Sequence, residues 1–232
     1  MNRKKLGIII FVRLGSKRLP NKALIKIKNI STLEHLYKRV KKINTSSKII
    51  IATTTKKLDN KIVKFCKLKK IIVFRGSDKN VANRAIECCK KYNFDSFLRV
   101  CADRIFFDYN LAKQMIHFYK KYNFEIVTNC LIKSYPKGLS CEIISLNTFK
   151  KNLKYMKTPS DREHIFNYFY RNNKKFKIKN FKSSFPKKIF NMSMALDTNN
   201  DLSKIKKTFK ELEINPNTKT QKIIKYFFNK FY

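Results

Sequence analysis

The chain has 232 residues, enough to bury one substantial hydrophobic core, and this length does not demand two independent domains. It carries 54 Lys and Arg against 15 Asp and Glu, a formal net charge of +39. Because lysine is spread along the whole sequence while Gly and Trp are scarce, we interpret the charge as solvated lysine faces, and a localised nucleic-acid surface is not favoured.

Neither a membrane-spanning segment nor a cysteine-based metal motif is indicated. The apolar run near the amino terminus is too short for a signal peptide, and Arg13 follows where a cleavage site would need small residues. The six cysteines form no CxxC pair and show no Cys/His ligand spacing, so they are interpreted as small buried residues in a reducing compartment. We therefore expect a cytoplasmic protein that does not bind membranes.

Short apolar runs alternate with helical patterns over the first 130 residues. Strands are predicted near residues 6–12, 48–53, 71–74, 96–101 and 125–129. Between the first two, Ser31-Thr32-Leu33-Glu34 fits a capping box and is followed by apolar residues at helical spacing. This alternation predicts an α/β fold with a largely parallel sheet covered by helices.

The pattern changes after residue 130. A strand is predicted over 141–145, a helix near 146–155, and a second capping-box-like sequence at Ser160-Asp161-Arg162-Glu163. A strand over 192–196 is expected to return to the core before two helices near 199–212 and 217–231. We predict one domain over residues 1–232, in which residues 131–190 form a small projecting lobe or a dimer arm.

The first strand runs into a cationic turn at its carboxyl end. This turn supplies Arg13, Ser16, Arg18 and Lys22, and Gly15 lets the backbone approach a ligand closely. The G-x-x-x-x-G-K-[ST] and G-x-G-x-x-G patterns are absent, so neither an ordinary nucleoside triphosphatase nor a dinucleotide-binding dehydrogenase is favoured. The turn predicts a polyphosphate site, with a basic surface loop as the alternative.

A second cationic cluster follows the third strand. Arg75-Gly76-Ser77-Asp78 stands at the end of this strand, and Arg84 lies on the helix that begins near Asn80. Because the carboxyl ends of parallel strands line one crevice, both clusters are expected to reach the same ligand. Alternatively, Ser77-Asp78 only caps the helix and Arg75 is solvated.

Acidic residues are rare, so those at strand ends are informative. Asp103 and Asp197 are candidate Mg²⁺ ligands, since this ion is commonly bound by one or two carboxylates together with substrate phosphates. The alternative for Asp103 is a salt bridge to Arg99 or Arg104. The alternative for Asp197 is a helix N-cap with Thr198. Glu142 begins an apolar strand and is expected either to point towards the crevice or to be a charge on an edge strand.

Taken in order, these motifs resemble the cytidylyltransferase family that includes the SpsF-type proteins of spore-coat polysaccharide synthesis and, more distantly, the synthetases of CMP-sialic acid and CMP-Kdo. The resemblance covers nearly the whole chain. It rests on residues 12–22, which are similar to the family's ARxGSxRLPxK turn, and on residues 52–55, 74–77, 83–84, 99–108, 135–142, 162–164 and 196–198.

The resemblance implies a Rossmann-like nucleotide-diphospho-sugar transferase fold, with a mostly parallel mixed sheet, helices on both faces, and a homodimer. It also implies that CMP is transferred from CTP to a sugar, such as an acidic sugar for a surface polysaccharide, with release of pyrophosphate.

The resemblance further implies roles for individual residues. Catalysis would involve Arg13, Lys22 and Asp103. The nucleotide would be bound by Leu14, Gly15, Ser16, Arg18, Arg75 and Arg84. Mg²⁺ would be held by Asp103 and Asp197, and the sugar would contact Glu142 and Arg162.

The chain departs from the family pattern at two places. Val12 stands where the family has Ala, and Ala102-Asp103-Arg104-Ile105 stands where it usually has Gly-Asp-Cys-Pro. The second change puts a positive charge beside the predicted metal ligand. Arg104 is therefore expected either to bind an acidic substrate or to mark altered or lost activity. The alternative function is a catalytically degenerate relative or a basic nucleic-acid-binding protein.

Overall fold

The computed structural model describes residues 5–232, which fold into a central sheet flanked by helices. The strands are β1 (Leu6–Phe11), β2 (Lys26–Ile27), β3 (Ile30–Ser31), β4 (Ile49–Thr54), β5 (Val73–Gly76), β6 (Ser96–Cys101), β7 (Ile126–Thr128), β8 (Glu142–Ser145) and β9 (Ile178–Asn180). The α-helices are α1 (Thr32–Lys41), α2 (Asn60–Leu68), α3 (Val81–Tyr92), α4 (Tyr109–Lys121), α5 (Leu146–Asn152), α6 (Pro159–Glu163), α7 (Asn167–Arg171), α8 (Asn199–Glu211) and α9 (Thr220–Phe231).

Within the described residues the main sheet has seven strands, in the order β5-β4-β1-β6-β8-β7-β9, and β2 pairs separately with β3. Strand β1 pairs in parallel with β4 and β6, and β4 pairs in parallel with β5. Strand β8 runs antiparallel between β6 and β7. The predicted mostly parallel mixed sheet is thus confirmed. The carboxyl ends of β1, β4, β5, β6 and β7 consequently lie at one edge of the sheet.

Helices cover both faces of the sheet because successive side chains of a strand point to opposite sides. On β1, Ile8 and Ile10 join a core with α1, α2 and α4. Ile9 and Phe11 join the core on the other face, with α3, α5 and α7. The unbroken apolar run of β1 is therefore the pattern of a strand buried on both faces. A further core around Phe106 packs beneath α8 and α9.

Two predicted elements are wrong. Helix α6 begins at Pro159, and the Thr158 hydroxyl caps it by accepting the Asp161 N–H (3.1 Å), so Ser160 lies inside the helix. Proline suits this first position because the N–H it lacks would have no helical partner there. The predicted strand over 192–196 is an extended segment with an isolated bridge to Lys137, because the facing chain turns away after that pair.

No helix within residues 5–232 combines the length and the apolar character needed to cross a membrane. In this part of the chain the cysteines are free thiols, and the buried ones, as expected of small core residues, are Cys66, Cys88, Cys89 and Cys141. Cys101 and Cys130 are partly exposed.

Candidate active site

A buried carboxylate supports the cationic turn that follows β1. Asp59 is buried and accepts hydrogen bonds from the Leu14 N–H (2.8 Å) and from the Thr54 hydroxyl. These contacts tie the turn after β1 to the loop after β4. The shape of the turn is thereby set by a residue 45 positions away in the sequence.

Backbone hydrogen bonds close the turn itself. The N–H groups of Ser16 and Asn21 both donate to the Leu14 carbonyl oxygen, at 2.8 and 3.3 Å. Asn21 is left-handed (φ 56°) and precedes the short 3₁₀-helix Lys22–Leu24. A Cβ added at Gly15 would have no neighbour within 4 Å, so the backbone at this position is open to an approaching ligand.

Cationic side chains from separate parts of the chain surround the carboxylate of Asp197. Its Oδ1 accepts from Lys22 Nζ (2.9 Å), and its Oδ2 accepts from Lys137 Nζ (2.7 Å). A guanidinium nitrogen of Arg18 lies 3.3 Å from Oδ2. Burial alone would raise the pKa of Asp197, but the bonds from Lys137 and Lys22 lower that pKa to about 2. Thr198 is the N-cap of α8, so the cap alternative is correct for Thr198, while the Asp197 carboxylate is bound by the lysines.

Asp103 lies against the segment that leads to Asp197. Its carbonyl oxygen accepts the Leu196 N–H at 2.9 Å, which brings the loop after β6 next to this segment. Asp103 Oδ1 is buried without a hydrogen-bond partner in the described part of the chain. A buried acceptor left in this state is costly, and a cation or a substrate donor would relieve the cost. Within residues 5–232, Asp103 forms no salt bridge with Arg99 or Arg104, so that alternative is wrong.

A second carboxylate, Glu142, is buried at the start of β8. It accepts hydrogen bonds from Arg99 Nη1 (2.7 Å) and from the Tyr170 hydroxyl (2.8 Å). Arg104 Nη1 lies 3.8 Å from Glu142 and donates to the Ser140 carbonyl oxygen (2.6 Å). Burial alone would raise the pKa of Glu142, but the charges of Arg99 and Arg104 lower it below its usual value. Because β8 is an interior strand, the edge-strand alternative is wrong.

Two guanidinium groups lie within 4 Å of one carboxylate in this buried network, and Asp103 attracts Arg104 from farther away. Arg99 and Arg104 share the single carboxylate of Glu142, and Arg99 Nε is buried without a hydrogen bond among residues 5–232. Burial alone would lower the pKa of Arg104, but Cys101 and Glu142 beside it raise that pKa, so the guanidinium stays charged. Because buried uncompensated charge is costly, this network favours the approach of an anion.

Arg84 lies beneath the first turn and is only 2% exposed. Its guanidinium carbon is 5.7 Å from the centre of the Phe11 ring, and its Nε and Nη1 lack hydrogen-bond partners within the described chain. Burial and the neighbouring Arg13 lower the pKa of Arg84. Arg13 itself forms an ion pair of 2.5 Å with Glu163, at the end of α6. This pair joins the first turn to a helix 150 residues further along the chain.

The structure does not bring Arg75 or Arg162 into these clusters. Arg75 donates to the carbonyl oxygens of Thr54 and Lys56, each at 3.0 Å, and borders a pocket of about 520 Å³ against α2. Arg162 is exposed on α6. Their roles near the nucleotide and the sugar stay predictions, and these contacts give neither residue a place beside Asp197 or Glu142.

A smaller pocket, of about 210 Å³, adjoins the Asp197 cluster. Its wall includes Asn129, Lys133, Pro136, Lys137 and Ser140. Lys137 also forms the ion pair with Asp197, and the Ser140 carbonyl accepts from Arg104. The pocket therefore lies between the Asp197 cluster and the buried arginine network. The larger pocket is bordered by none of these groups, so we place the site at the smaller one.

Sequence reasoning missed Asp59, Lys137 and Tyr170. Asp59 follows the end of a parallel strand, and the same position drew attention to Asp103. It was missed because it stands five residues after Thr54, the last residue of that strand and its contact. Lys137 lies inside a segment that the sequence singled out, yet one lysine among so many is uninformative. Tyr170 has no signal in the sequence, because its contacts with Glu142 and Thr128 come only from the packing of α7.

Comparisons with known proteins show the family to which this chain belongs. The family model described as Cytidylyltransferase matches residues 7–227. An uncharacterized protein of Methanocaldococcus jannaschii is 36% identical over 170 residues, covering 73% of this chain and 69% of that protein. The 3-deoxy-manno-octulosonate cytidylyltransferase of Fusobacterium nucleatum is 28% identical over 159 residues, covering 68% and 57% of the two chains.

A solved structure of a cytidylyltransferase from Leptospira borgpetersenii superposes with a TM-score of 0.90 at 25% identity, covering 97% of this chain and 94% of that one. The predicted nucleotidyltransferase fold is confirmed by this likeness. The motif order, the open cationic turn and the family match over residues 7–227 lead to one conclusion: the chain belongs to the cytidylyltransferase family.

Proposed function

We propose that the protein is a Mg²⁺-dependent enzyme that transfers CMP from CTP to an acidic sugar and releases pyrophosphate. The observation that carries this proposal is Asp197, an ionised carboxylate held between Lys22 of the cationic turn and Lys137 of the smaller pocket. Asp197 thus lies at the boundary between a site for a triphosphate and a site for a second substrate. The name of the Fusobacterium relative supports both CTP and an acidic sugar.

The nucleotide side is formed by the first turn. Arg13, Arg18 and Lys22 supply cations for the phosphates, and Arg84 adds a buried guanidinium with unsatisfied donors. The backbone around Gly15 and Ser16 is the surface that the phosphates approach. Leu14 contributes through the shape of the turn, since its N–H is already bound to Asp59.

The acceptor side is formed by the smaller pocket and the arginine network behind it. Arg104 and Arg99 outnumber the Glu142 carboxylate, and planar guanidinium groups bind carboxylates with matched geometry. An acidic sugar would therefore be favoured over a neutral one. The replacement of the family's usual Cys by Arg104 then acts as a specificity feature, with Glu142 holding the guanidinium in place.

The unsatisfied carboxylate oxygen of Asp103 fits a divalent cation. Asp197, by contrast, would have to exchange Lys22 or Lys137 for the ion. Among residues 5–232 there is no group of three or more His, Cys, Asp or Glu side chains arranged to hold a metal by themselves. Asp103 and Asp197 would instead hold Mg²⁺ together with phosphate oxygens of CTP, and the orphaned Oδ1 of Asp103 suits this role. When bound, the ion would neutralise phosphate charge and polarise the α-phosphate.

Nucleotidyl transfer requires mainly that the sugar hydroxyl is aligned with the leaving pyrophosphate and that the phosphate charge is neutralised. The sugar hydroxyl attacks the α-phosphorus and transfers its proton to solvent water as the new P–O bond forms. The bond between the α-phosphorus and the bridging oxygen breaks, and pyrophosphate leaves. Arg13 and Lys22, on the triphosphate side, stabilise the negative charge that grows on this leaving group.

The test is pyrophosphate release from CTP, ATP or UTP in the presence of Mg²⁺ and either 3-deoxy-manno-octulosonate, other acidic sugars or neutral sugars. We expect release only with CTP and an acidic sugar. Asp103→Asn should lower the rate by about a hundredfold or more without changing the circular dichroism spectrum. Asp95→Asn is the matched control, because Asp95 is exposed at the start of β6, at the opposite edge of the sheet.

An unchanged rate in Asp103→Asn would remove this residue from the mechanism. A wild-type protein that binds CTP but turns over no acceptor would favour the degenerate relative. A protein that binds no nucleotide, but binds nucleic acid with a steep loss of affinity at higher salt, would contradict the proposal.

A further inference from the structure

Asp197 has more positive charge around it than one carboxylate requires. Among the described residues, nitrogen atoms of Lys22, Lys137 and Arg18 lie within 3.3 Å of its oxygens. One negative charge therefore faces three positive charges. This surplus favours a second anion at the same place.

The side chains of Lys137 and Lys22 differ in their solvent exposure. The side chain of Lys22 is 18% exposed, while that of Lys137 is 61% exposed. An ammonium group has three N–H donors, and Lys137 uses one of them on Asp197 within residues 5–232. The remaining donors are available to a ligand while the first keeps the side chain in place.

Hydrogen bonds hold the backbone of Lys137. Its N–H donates to the Met192 carbonyl (3.0 Å), and its carbonyl accepts the Met194 N–H (2.8 Å). Gly138 follows with a φ of 101°, and a Cβ at this position would lie 2.7 Å from the Ala195 nitrogen. Only glycine permits this close approach of the two backbone segments. The approach fixes the position of the Lys137 backbone beside residues 192–195.

The position of Lys137 links the two substrate sites. Asp197 Oδ1 faces Lys22, which comes from the cationic turn, and Asp197 Oδ2 faces Lys137. Lys137 also lines the smaller pocket. In the proposed reaction the phosphorus that the sugar attacks must lie between the triphosphate and the sugar, and this phosphorus belongs to the α-phosphate.

We propose that Lys137 is a catalytic residue that contacts the α-phosphate of the bound nucleotide from the acceptor side. This inference rests on the proposed function, which puts the triphosphate beside Lys22 and the sugar in the smaller pocket. The Lys137 ammonium stabilises negative charge on the non-bridging oxygens of the α-phosphate while the bond to the sugar forms and the bond to pyrophosphate breaks.

The experiment compares three ligands that differ only in phosphate: cytidine, CMP and CTP. Each is titrated in the presence of Mg²⁺ into the wild type, Lys137→Met and Lys22→Met, with calorimetry or ligand-observed NMR as the readout. Methionine keeps the unbranched length of lysine and removes its charge. Lys187→Met is the matched control, because this lysine is exposed and lies outside both proposed substrate sites.

Lys137→Met should weaken CMP and CTP by the same factor, about tenfold, because one charged hydrogen bond to the α-phosphate is lost from both. Its affinity for cytidine should not change. Lys22→Met should weaken CTP more than CMP, and Lys137→Arg should restore most of the affinity for CMP. Lys187→Met should match the wild type with every ligand.

Equal affinity of the wild type and Lys137→Met for CMP would overturn the inference. If Lys137→Met lost as much affinity for cytidine as for CMP, the inference would also be overturned, because an equal loss indicates a disturbed pocket. A wild-type protein that binds neither CMP nor CTP would instead contradict the proposed function from which the inference starts.

Discussion

Replacing Glu142 by Gln removes one buried charge with little change of shape. The amide oxygen of Gln can still accept from Arg99, and its NH₂ can donate to the Tyr170 hydroxyl, which then turns to Thr128 at 2.7 Å. What is lost is the negative charge that Arg99 and Arg104 share. Breaking a buried ion pair costs about 3–5 kcal/mol, and the surviving hydrogen bonds place this variant at the lower end.

The expected loss of about 3 kcal/mol corresponds to a Tm that is lower by roughly 6–12 °C at pH 7, since a chain of this length loses about 2–4 °C per kcal/mol. Differential scanning calorimetry measures the change. Glu163→Gln is the matched control, because it removes the same charge from an exposed ion pair with Arg13. Such pairs contribute at most about 1 kcal/mol, so its Tm should fall by no more than a few degrees.

The pH dependence gives this prediction a second readout. The pKa of Glu142 lies below its ordinary value of 4.5 in the folded protein, so the ionised carboxylate stabilises the fold above the unfolded pKa. This stability is lost as the pH falls through the lowered folded pKa. The difference in Tm between the wild type and Glu142→Gln should therefore narrow in acid. Equal Tm values at pH 7, or a difference that persists in acid, would refute the reasoning.

Three further predictions test the site. Asp59→Ala leaves the buried Leu14 N–H without its acceptor, so the free energy of unfolding in urea should fall by about 1–3 kcal/mol. Asp59→Asn keeps an acceptor and should lose less stability. Equal urea midpoints for wild type and Asp59→Ala would contradict this prediction. Gly138→Ala forces a Cβ against backbone at positive φ, so its Tm and its rate of pyrophosphate release should both fall, and an unchanged melting curve would count against the close approach. Glu163→Gln frees Arg13 for phosphate and should tighten CTP binding about two- to fivefold in calorimetry, and weaker binding would argue that Glu163 positions Arg13 instead.

Much of the fold could be predicted from local pattern. The uninterrupted apolar run of β1 indicates a strand covered on both faces, and the structure buries Leu6–Phe11 throughout. The cap of α1 is equally local, since Ser31 accepts the Glu34 N–H at 3.1 Å. Residues 192–196 show where this reasoning fails. Their apolar pattern is that of a strand, but a strand also needs a partner chain that runs beside it for several residues.

The structure brings some of the predicted site residues together and leaves others apart. Lys22, Arg18 and Asp197 meet as predicted. Residues 192–196 form no strand, however, so the parallel-strand argument does not explain the position of Asp197. Asp103 joins them through its backbone contact with Leu196. Arg75 does not, because the carbonyl groups of the neighbouring loop hold its guanidinium at the edge of the sheet. Strand-end position alone does not distinguish these outcomes, since side-chain direction depends on the nearest acceptor.

The sequence by itself determined that a cationic turn follows the first buried strand and that Asp103 follows a later one, because connectivity alone puts these residues at the carboxyl ends of parallel strands. Only the tertiary structure decided which cations meet which acid. Lys22 and Lys137 lie 175 and 60 residues from Asp197, and the sequence does not distinguish them from the many other lysines. The buried pairing of Glu142 with Arg99 and Arg104 likewise depends on β8 entering the sheet between β6 and β7, a contact that no short stretch of sequence specifies.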